Sequence, residues 1–164
     1  MPAAQAVELY GVQLQQAKKG TFISAIKKAG LKLIREGGDD NFFDIYDSTD
    51  ALDGSKQMYV GFVKKSQSFA FAEYEFEGFN QSLMLNRLKK KYGQPNIVKG
   101  KFISDTAYFW NDAGIEISYT TDWAKYKTRL LFSQPQALAQ LKLEKNDKAL
   151  KQLSDKMKQQ DYAF

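Results

Sequence analysis

The sequence predicts a single α+β domain: two α-β-β-β units forming one mainly antiparallel sheet with helices on one face, plus a C-terminal helix. Three observations lead there. Within residues 79–95, Leu85, Leu88 and Tyr92 recur at i, i+3 and i+7, the one-sided stripe of an amphipathic helix, and Gly93 and Pro95 end it. Runs such as 41–46, 68–76 and 106–110 instead alternate or concentrate aromatic residues, as half-buried strands do. A shift of 63 positions lays Phe22, Ala25 and Ala29 over Leu85, Leu88 and Tyr92, Lys27-Lys28 over Lys90-Lys91 and Gly30 over Gly93, which reads as an internal repeat.

Taken in order, residues 7–12 have β character, with Gly11 permitting a bend. Lys19-Gly20-Thr21 opens a helix whose apolar side is Phe22, Ala25, Ile26 and Ala29, closed by Gly30. Residues 31–35 have β character and stop at Gly37-Gly38. In the strand 41–46, Phe43 and Ile45 share one face and Phe42, Asp44 and Tyr46 the other. A polar link, 47–55, leads to strand 57–63 and, through Lys64-Lys65-Ser66-Gln67, to its hairpin partner 68–76. Asn80 caps the second helix. Strands 106–110, 115–120 and 128–132 take the corresponding places in the second half, with a register slip because the link 111–114 is shorter than 47–55. Ser133-Gln134-Pro135 starts the last helix, proline being tolerated in a first turn. Ala137, Leu138 and Leu141 make its first apolar patch. Asn146-Asp147 is expected to break it and cap a second segment, where Leu150, Leu153 and Met157 form a narrow stripe that docks lightly or projects. The organisation read from this is residues 1–6 as a processed or disordered remnant, then one domain over 7–164: a first unit 7–78, a second unit 79–133 and a helical tail 134–164.

Composition bounds the chemistry. Apolar residues at 43% and only 3 prolines describe a folding chain, and 164 residues suffice for one core. The absence of histidine and cysteine removes the commonest general base, the thiol nucleophile and every nitrogen- or sulfur-ligand metal site. No cofactor is expected. The net charge of +5 is uneven: residues 1–82 carry 9 Lys/Arg against 11 Asp/Glu, and residues 83–164 carry 15 against 8. No run reaches the roughly 20 apolar residues a membrane span needs. Ala4-Gln5-Ala6 has the small-x-small form of a signal-peptidase site, so the expected location is periplasmic or secreted, the alternative being an ordinary alanine-rich N-terminus in a cytoplasmic protein.

Leu9-Tyr10-Gly11-Val12, Lys28-Ala29-Gly30-Leu31, Glu73-Tyr74-Glu75-Phe76 and Lys91-Tyr92-Gly93-Gln94-Pro95 together resemble a family of small, uncharacterised exported bacterial proteins. Tandem helix-plus-antiparallel-sheet units are also similar in architecture to the β-lactamase inhibitor protein and to small outer-membrane assembly lipoproteins. That resemblance implies a protein that works by binding other proteins. The chain departs from both in having no lipoprotein cysteine and one helix per unit where the inhibitor protein has two.

Four groups of residues invite a functional reading. Glu73, Glu75 and Glu77 alternate on one strand face, where neighbouring carboxylates can form an acid/base pair or hold a hard cation; a solvated strand face explains them more simply. Asp39, Asp40, Asp44, Asp47, Asp50 and Asp53 suggest calcium but lack the order of a calcium loop, and turn chemistry accounts for them. Lys89-Lys90-Lys91, Lys99 and Lys101 near Tyr108 and Trp110 suggest nucleic acid, yet three successive helical residues fan across some 200° and offer no single face. Trp123 and Tyr126, the aromatics of a charged link, belong to a recognition surface together with Asp50 and Asp53. The expected function is therefore non-catalytic: a binding or scaffold module that engages another protein through its exposed sheet face and the loops 47–55 and 122–127, with no nucleic acid and no metal. The alternative is a carboxylate-dependent enzyme or cation site on Glu73, Glu75 and Glu77.

Overall fold

The chain begins with a two-residue reversal. In this computed structural model, which describes residues 6–37, 42–78, 82–100, 106–122 and 126–163, β1 (Glu8–Leu9) pairs with β2 (Val12–Gln13), Leu9 lying opposite Val12. Tyr10 and Gly11 alone make the turn, at φ 55° and 79°. Positive φ at both central positions gives a twist that matches the hairpin, and glycine adopts it without strain. Tyr10 is held there from outside, because its hydroxyl lies 2.6 Å from the hydroxyl of Tyr74 in the main sheet.

A short 3-10 turn, Leu14–Gln16, leads into α1 (Lys19–Lys28), whose buried residues Phe22 and Ile26 are i, i+4 neighbours on one face. Four strands follow as consecutive antiparallel pairs: β3 (Lys32–Arg35), β4 (Asp44–Asp47), β5 (Ser55–Phe62) and β6 (Phe69–Glu77). Then α2 (Ser82–Tyr92) precedes β7 (Asn96–Val98), β8 (Ala107–Asp112), β9 (Ile115–Asp122) and β10 (Lys127–Ser133), again an antiparallel succession. The eight strands form one sheet in the order β3-β4-β5-β6-β10-β9-β8-β7. The two meanders thus meet at their last strands, β6 and β10, which run antiparallel from Lys127 opposite Glu77 to Ser133 opposite Phe71.

Strand alternation gives the sheet two different faces. On one, Met58, Val60, Ala72, Tyr74, Phe76, Trp110, Ile117, Tyr119, Leu130 and Phe132 are buried in one continuous core. Helices α1 and α2 cover this face. The Phe22 ring meets Phe62 and Phe69 at centroid distances of 5.9 and 5.5 Å, and Tyr92 meets Phe132 at 6.3 Å. Trp110 Nε1 donates to the carbonyl of Gly93 at 2.9 Å, tying the end of α2 to β8. Full burial of one large apolar side chain is worth about 1.5–3 kcal/mol, so this face supplies most of the driving force.

The sheet is richer than the sequence suggests. α1 and α2 are each followed by four strands rather than three, because β3 and the three-residue β7 start the meanders as short edge strands. The last helix, α3 (Pro135–Tyr162), is continuous through Asn146 and Asp147 rather than broken there. Both residues are exposed, so their side chains reach water instead of competing for the backbone, and no glycine or proline accompanies them.

α3 also lies on the opposite face from α1 and α2. The covered face is already occupied at that end by α1 and the 3-10 turn, and the remaining apolar anchor, Phe71, points the other way. Gln134 N donates to the carbonyl of Ala70 at 3.0 Å, the Gln134 side chain caps Ala137 N at 2.7 Å, and Leu141 is buried where Phe71 closes over Gly61. Glu144 Oε2 accepts from the backbone N–H of Lys64 at 3.0 Å. Gly61 is required by space: a Cβ there would enter the Phe71 ring and stand 3.0 Å from Leu141 Cδ2. Gly61→Ala is expected to lower stability by about 1–3 kcal/mol through overpacking, measured by urea unfolding; an unchanged midpoint would show that Phe71 and α3 yield without cost.

Candidate binding surface and carboxylate cluster

Glu73 and Glu75 point from β6 onto the face that α3 only partly covers. The β6–β10 register sets Leu131 opposite Glu73 and Arg129 opposite Glu75, with Lys127 opposite Glu77. Long basic side chains reach diagonally as well as straight across. Lys127 Nζ lies 2.5 Å from Glu75 Oε1, while Arg129 Nη1 lies 2.8 Å from Glu73 Oε1 and 3.3 Å from Glu75 Oε2. The Tyr59 hydroxyl, on β5, lies 2.9 Å from Gln57 Oε1 and 3.2 Å from Glu75 Oε2 and donates its single proton to one or the other. Glu77 reaches Lys56 at 3.1 Å in full solvent view.

Glu75 is buried, contrary to the solvated strand face that alternation suggests. Burial is the largest influence on its carboxyl and pushes the pKa up. Lys127, Arg129 and Tyr59 together outweigh it and leave the carboxyl below its ordinary 4.5. The same pairing raises Lys127 above 10.5, and burial followed by the neighbouring Glu75 raises Tyr59 above 10.0. Two acids and two bases neutralise one another here. Such a cluster links the two meanders across their seam, and Lys127 and Arg129 already occupy the carboxylate oxygens that a cation would need. Among the described residues, no three acidic side chains converge as a metal site would need.

The sheet order gathers three of the sequence-predicted recognition residues, Asp50, Asp53 and Tyr126, at one end. Ser55 and Thr128 both lie beside Phe76, so the β4–β5 loop carrying Asp50 and Asp53 and the β9–β10 turn carrying Tyr126 flank the end of β6, roughly 10 Å apart at two strand spacings. Tyr126 is 63% exposed and sits at φ 52°, a left-handed conformation that a tyrosine keeps only when its surroundings fix it. Its carbonyl accepts from Gly78 N at 2.9 Å, and its ring lies against Gly78. Asp47 Oδ1 accepts from Thr49 N at 2.9 Å, the aspartate turn expected of this loop, and hydrogen bonds from Thr49 lower the Asp47 pKa. A notch of about 60 Å³ lies beside Asp47 and Asp50 at the end of α1. Asp44, by contrast, is buried away from this loop, its Oδ1 accepting from Gly37 N at 2.6 Å. Trp123, Asp39, Asp40, Asn80 and Lys101 lie outside the described residues.

The other end of the sheet holds a cavity of about 310 Å³ between the 3-10 turn, the β5–β6 turn and the start of α3. Its polar lining combines the carboxamides of Gln15, Gln16, Gln134, Gln136 and Gln140 and the hydroxyls of Ser66 and Ser68 with the Lys18 ammonium, which donates to Ser66 O at 3.2 Å and lies 3.1 Å from Ser68 Oγ. Gln15 Nε2 and Oε1 are both shielded from solvent and without a hydrogen-bond partner. Sequence reasoning passed over this site because its glutamines are scattered and carry no motif.

No protein-family model matches the chain, and no curated protein matches it. Among solved structures, a DUF4309 family protein (YjgB) from Bacillus subtilis is similar over 78% of this chain and 86% of its own, with 17% sequence identity and a TM-score of 0.47. No site residue is carried over from it.

The lysines of α2 do not assemble either. Lys89 lies 6.0 Å over the Tyr108 ring and Lys91 lies 5.5 Å over its neighbour Tyr92, so two of the three lie against aromatic rings of their own sheet and helix.

Glu75→Gln is expected to cost about 1–3 kcal/mol at pH 7, because two cations lose their shared acceptor. The sign with pH follows from the lowered pKa: the stabilisation is present above about 4.5 and is lost as pH falls through the folded-state value. The gap between the variant and the natural protein should therefore close on acidification. Chemical unfolding at pH 7 and at successive values below 4.5 checks this; a gap independent of pH would remove the electrostatic account.

Proposed function

We propose that the protein is a non-catalytic binding or scaffold module that recognises a protein or envelope component, works in the periplasm or outside the cell, and makes contact through the loop end of its sheet. The observation that carries this reading is the pairing of β6 with both β5 and β10, which places Asp50 and Asp53 on one side of Phe76 and the exposed, conformationally fixed Tyr126 on the other. A rigid exposed aromatic flanked by acidic side chains suits a partner surface with an apolar pocket and basic rim. Trp123, three residues before Tyr126 in the sequence, belongs to this reading. We read the two helix-plus-meander halves as an internal repeat, which makes the seam between them the natural place for a single shared surface.

The carboxylate alternative has less support, because Glu73 and Glu75 are closed by Lys127 and Arg129 and any added cation would have to displace them. A second reading has an observation of its own. The cavity lined by glutamines, serines and Lys18, with the unpartnered amide of Gln15, suits a small polar ligand that brings acceptor oxygens to the ammonium and the amide.

The test is capture of partners from an envelope extract by the folded protein and by two variants, Tyr126→Ala and Asp50→Lys/Asp53→Lys. Loss of the same captured species from both, with circular dichroism unchanged, is the expected result. Undiminished capture by both variants would end the loop-end reading, and its loss in Gln140→Arg alone would move the site to the cavity.

A further inference from the structure

Beyond Glu144 and Lys148, α3 leaves the sheet: residues 149–163 are all exposed. Leu150, Leu153 and Met157 in this stretch and Leu143 just before it are the exposed aliphatic residues, each between 55% and 64% exposed, while Tyr162 at 94% lies off their row. Leu143, Leu150 and Met157 are seven apart, and Leu153 falls three after Leu150, the a and d positions of a coiled coil. At about 100° per residue the four occupy an arc of roughly 80°, too narrow for a helix lying on a lipid surface and right for a coiled-coil seam.

The seam faces away from the body. Leu141, Glu144 and Lys148 make the contacts with Gly61, Lys64 and Phe42, and the centre of the apolar arc lies roughly 170° around the helix from them. A second helix can therefore lie along it without meeting the sheet. The flanks differ in sign: Lys142, Ala149 and Lys156 precede the a positions on one side, and Asp147, Ser154 and Asp161 follow them on the other.

From these facts we infer that α3 pairs in parallel with α3 of a second copy of this chain. In the parallel arrangement each flank meets the opposite flank five residues on, so Lys142 faces the partner copy's aspartate at 147 and Lys156 faces the one at 161, each pair occurring twice by symmetry. The antiparallel arrangement opposes lysine to lysine and aspartate to aspartate. Charge complementarity selects the parallel one. Asn146 and Gln160 occupy two of the three d positions and weaken the seam, so association lies in the micromolar range or above. This inference is independent of the loop-end reading, which concerns the far end of the sheet.

The full-length protein is followed by analytical ultracentrifugation from about 10 µM to about 1 mM. A dimer is expected whose dissociation constant rises about tenfold or more in Leu150→Asp/Met157→Asp and in Lys142→Glu/Lys156→Glu, while mixing the latter with Asp147→Lys/Asp161→Lys restores association. All these positions are exposed, and circular dichroism checks that the fold survives. Because the chain has no cysteine, Gln160→Cys gives one thiol, and a parallel seam brings the two copies' thiols together, so oxidation should trap a disulfide dimer that Leu150→Asp/Met157→Asp suppresses. A monomer at every concentration, a dimer that Gln160→Cys does not cross-link, or binding to anionic phosphatidylglycerol vesicles by a chain that stays monomeric would each overturn the inference.

Discussion

The pairing of β6 with β10 is the constraint on which everything else rests. Every other strand pair in the main sheet joins neighbours along the chain, and most of these are closed by short links. β6 and β10 come from different halves, yet their register runs without interruption from Lys127 opposite Glu77 to Ser133 opposite Phe71. That single seam merges Tyr74 and Phe76 with Leu130 and Phe132 into one core. It also sets Arg129 and Lys127 beside Glu73 and Glu75, brings the β4–β5 loop and the β9–β10 turn to one end, and delivers the start of α3 beside Ala70. Two helix-plus-meander pieces, each too thin to bury its own apolar face, become one body.

The two sides of the seam use different physics. On the helix-covered side, aromatic and aliphatic side chains interlock with little directional demand. On the other side, the polar cluster is satisfied only in one register, since a one-residue slip would carry Glu73 and Glu75 to the apolar face. The cluster thus ties the seam to a single register. Tyr10 and Tyr74 play a comparable part for the N-terminal hairpin: burial raises both phenols above their ordinary pKa, so the pair stays neutral and its hydrogen bond persists across the ordinary pH range.

Local order was legible in the sequence, and non-local order was not. Leu85, Leu88 and Tyr92 announced α2; the alternation of Phe43 and Ile45 against Asp44 and Tyr46 announced β4; and residues 107–112, 115–122 and 127–133 were found within a residue or two. What failed depended on partners distant in the chain. Glu75 reads as solvated until Lys127, 52 residues later, is known to cover it. Which face α3 would take depends on Gly61 leaving room for Phe71, a fact about two strands at once. β7 was missed because three residues carry no period, and Asn146-Asp147 misled because propensity alone does not stop a helix whose neighbours all favour it. For the site, the loops and Tyr126 were nameable, but their convergence at one sheet end and the glutamine cavity were not.

The short outer strands carry a further consequence. β3 and β7 stand at the two free borders of an eight-stranded sheet, and their outward backbone groups are a template on which another chain's strand can add. β3 is guarded by Lys32 and Arg35 and by a register irregularity between Leu33 and Arg35. β7 has no such charge within it: Ile97 and Val98 are exposed, and its protection is brevity, with Pro95 just ahead unable to donate a backbone hydrogen bond. Among the described residues, this border is thus blunted by one proline and by a strand only three residues long, and lengthening that strand would extend the row of outward backbone groups on which strands can add.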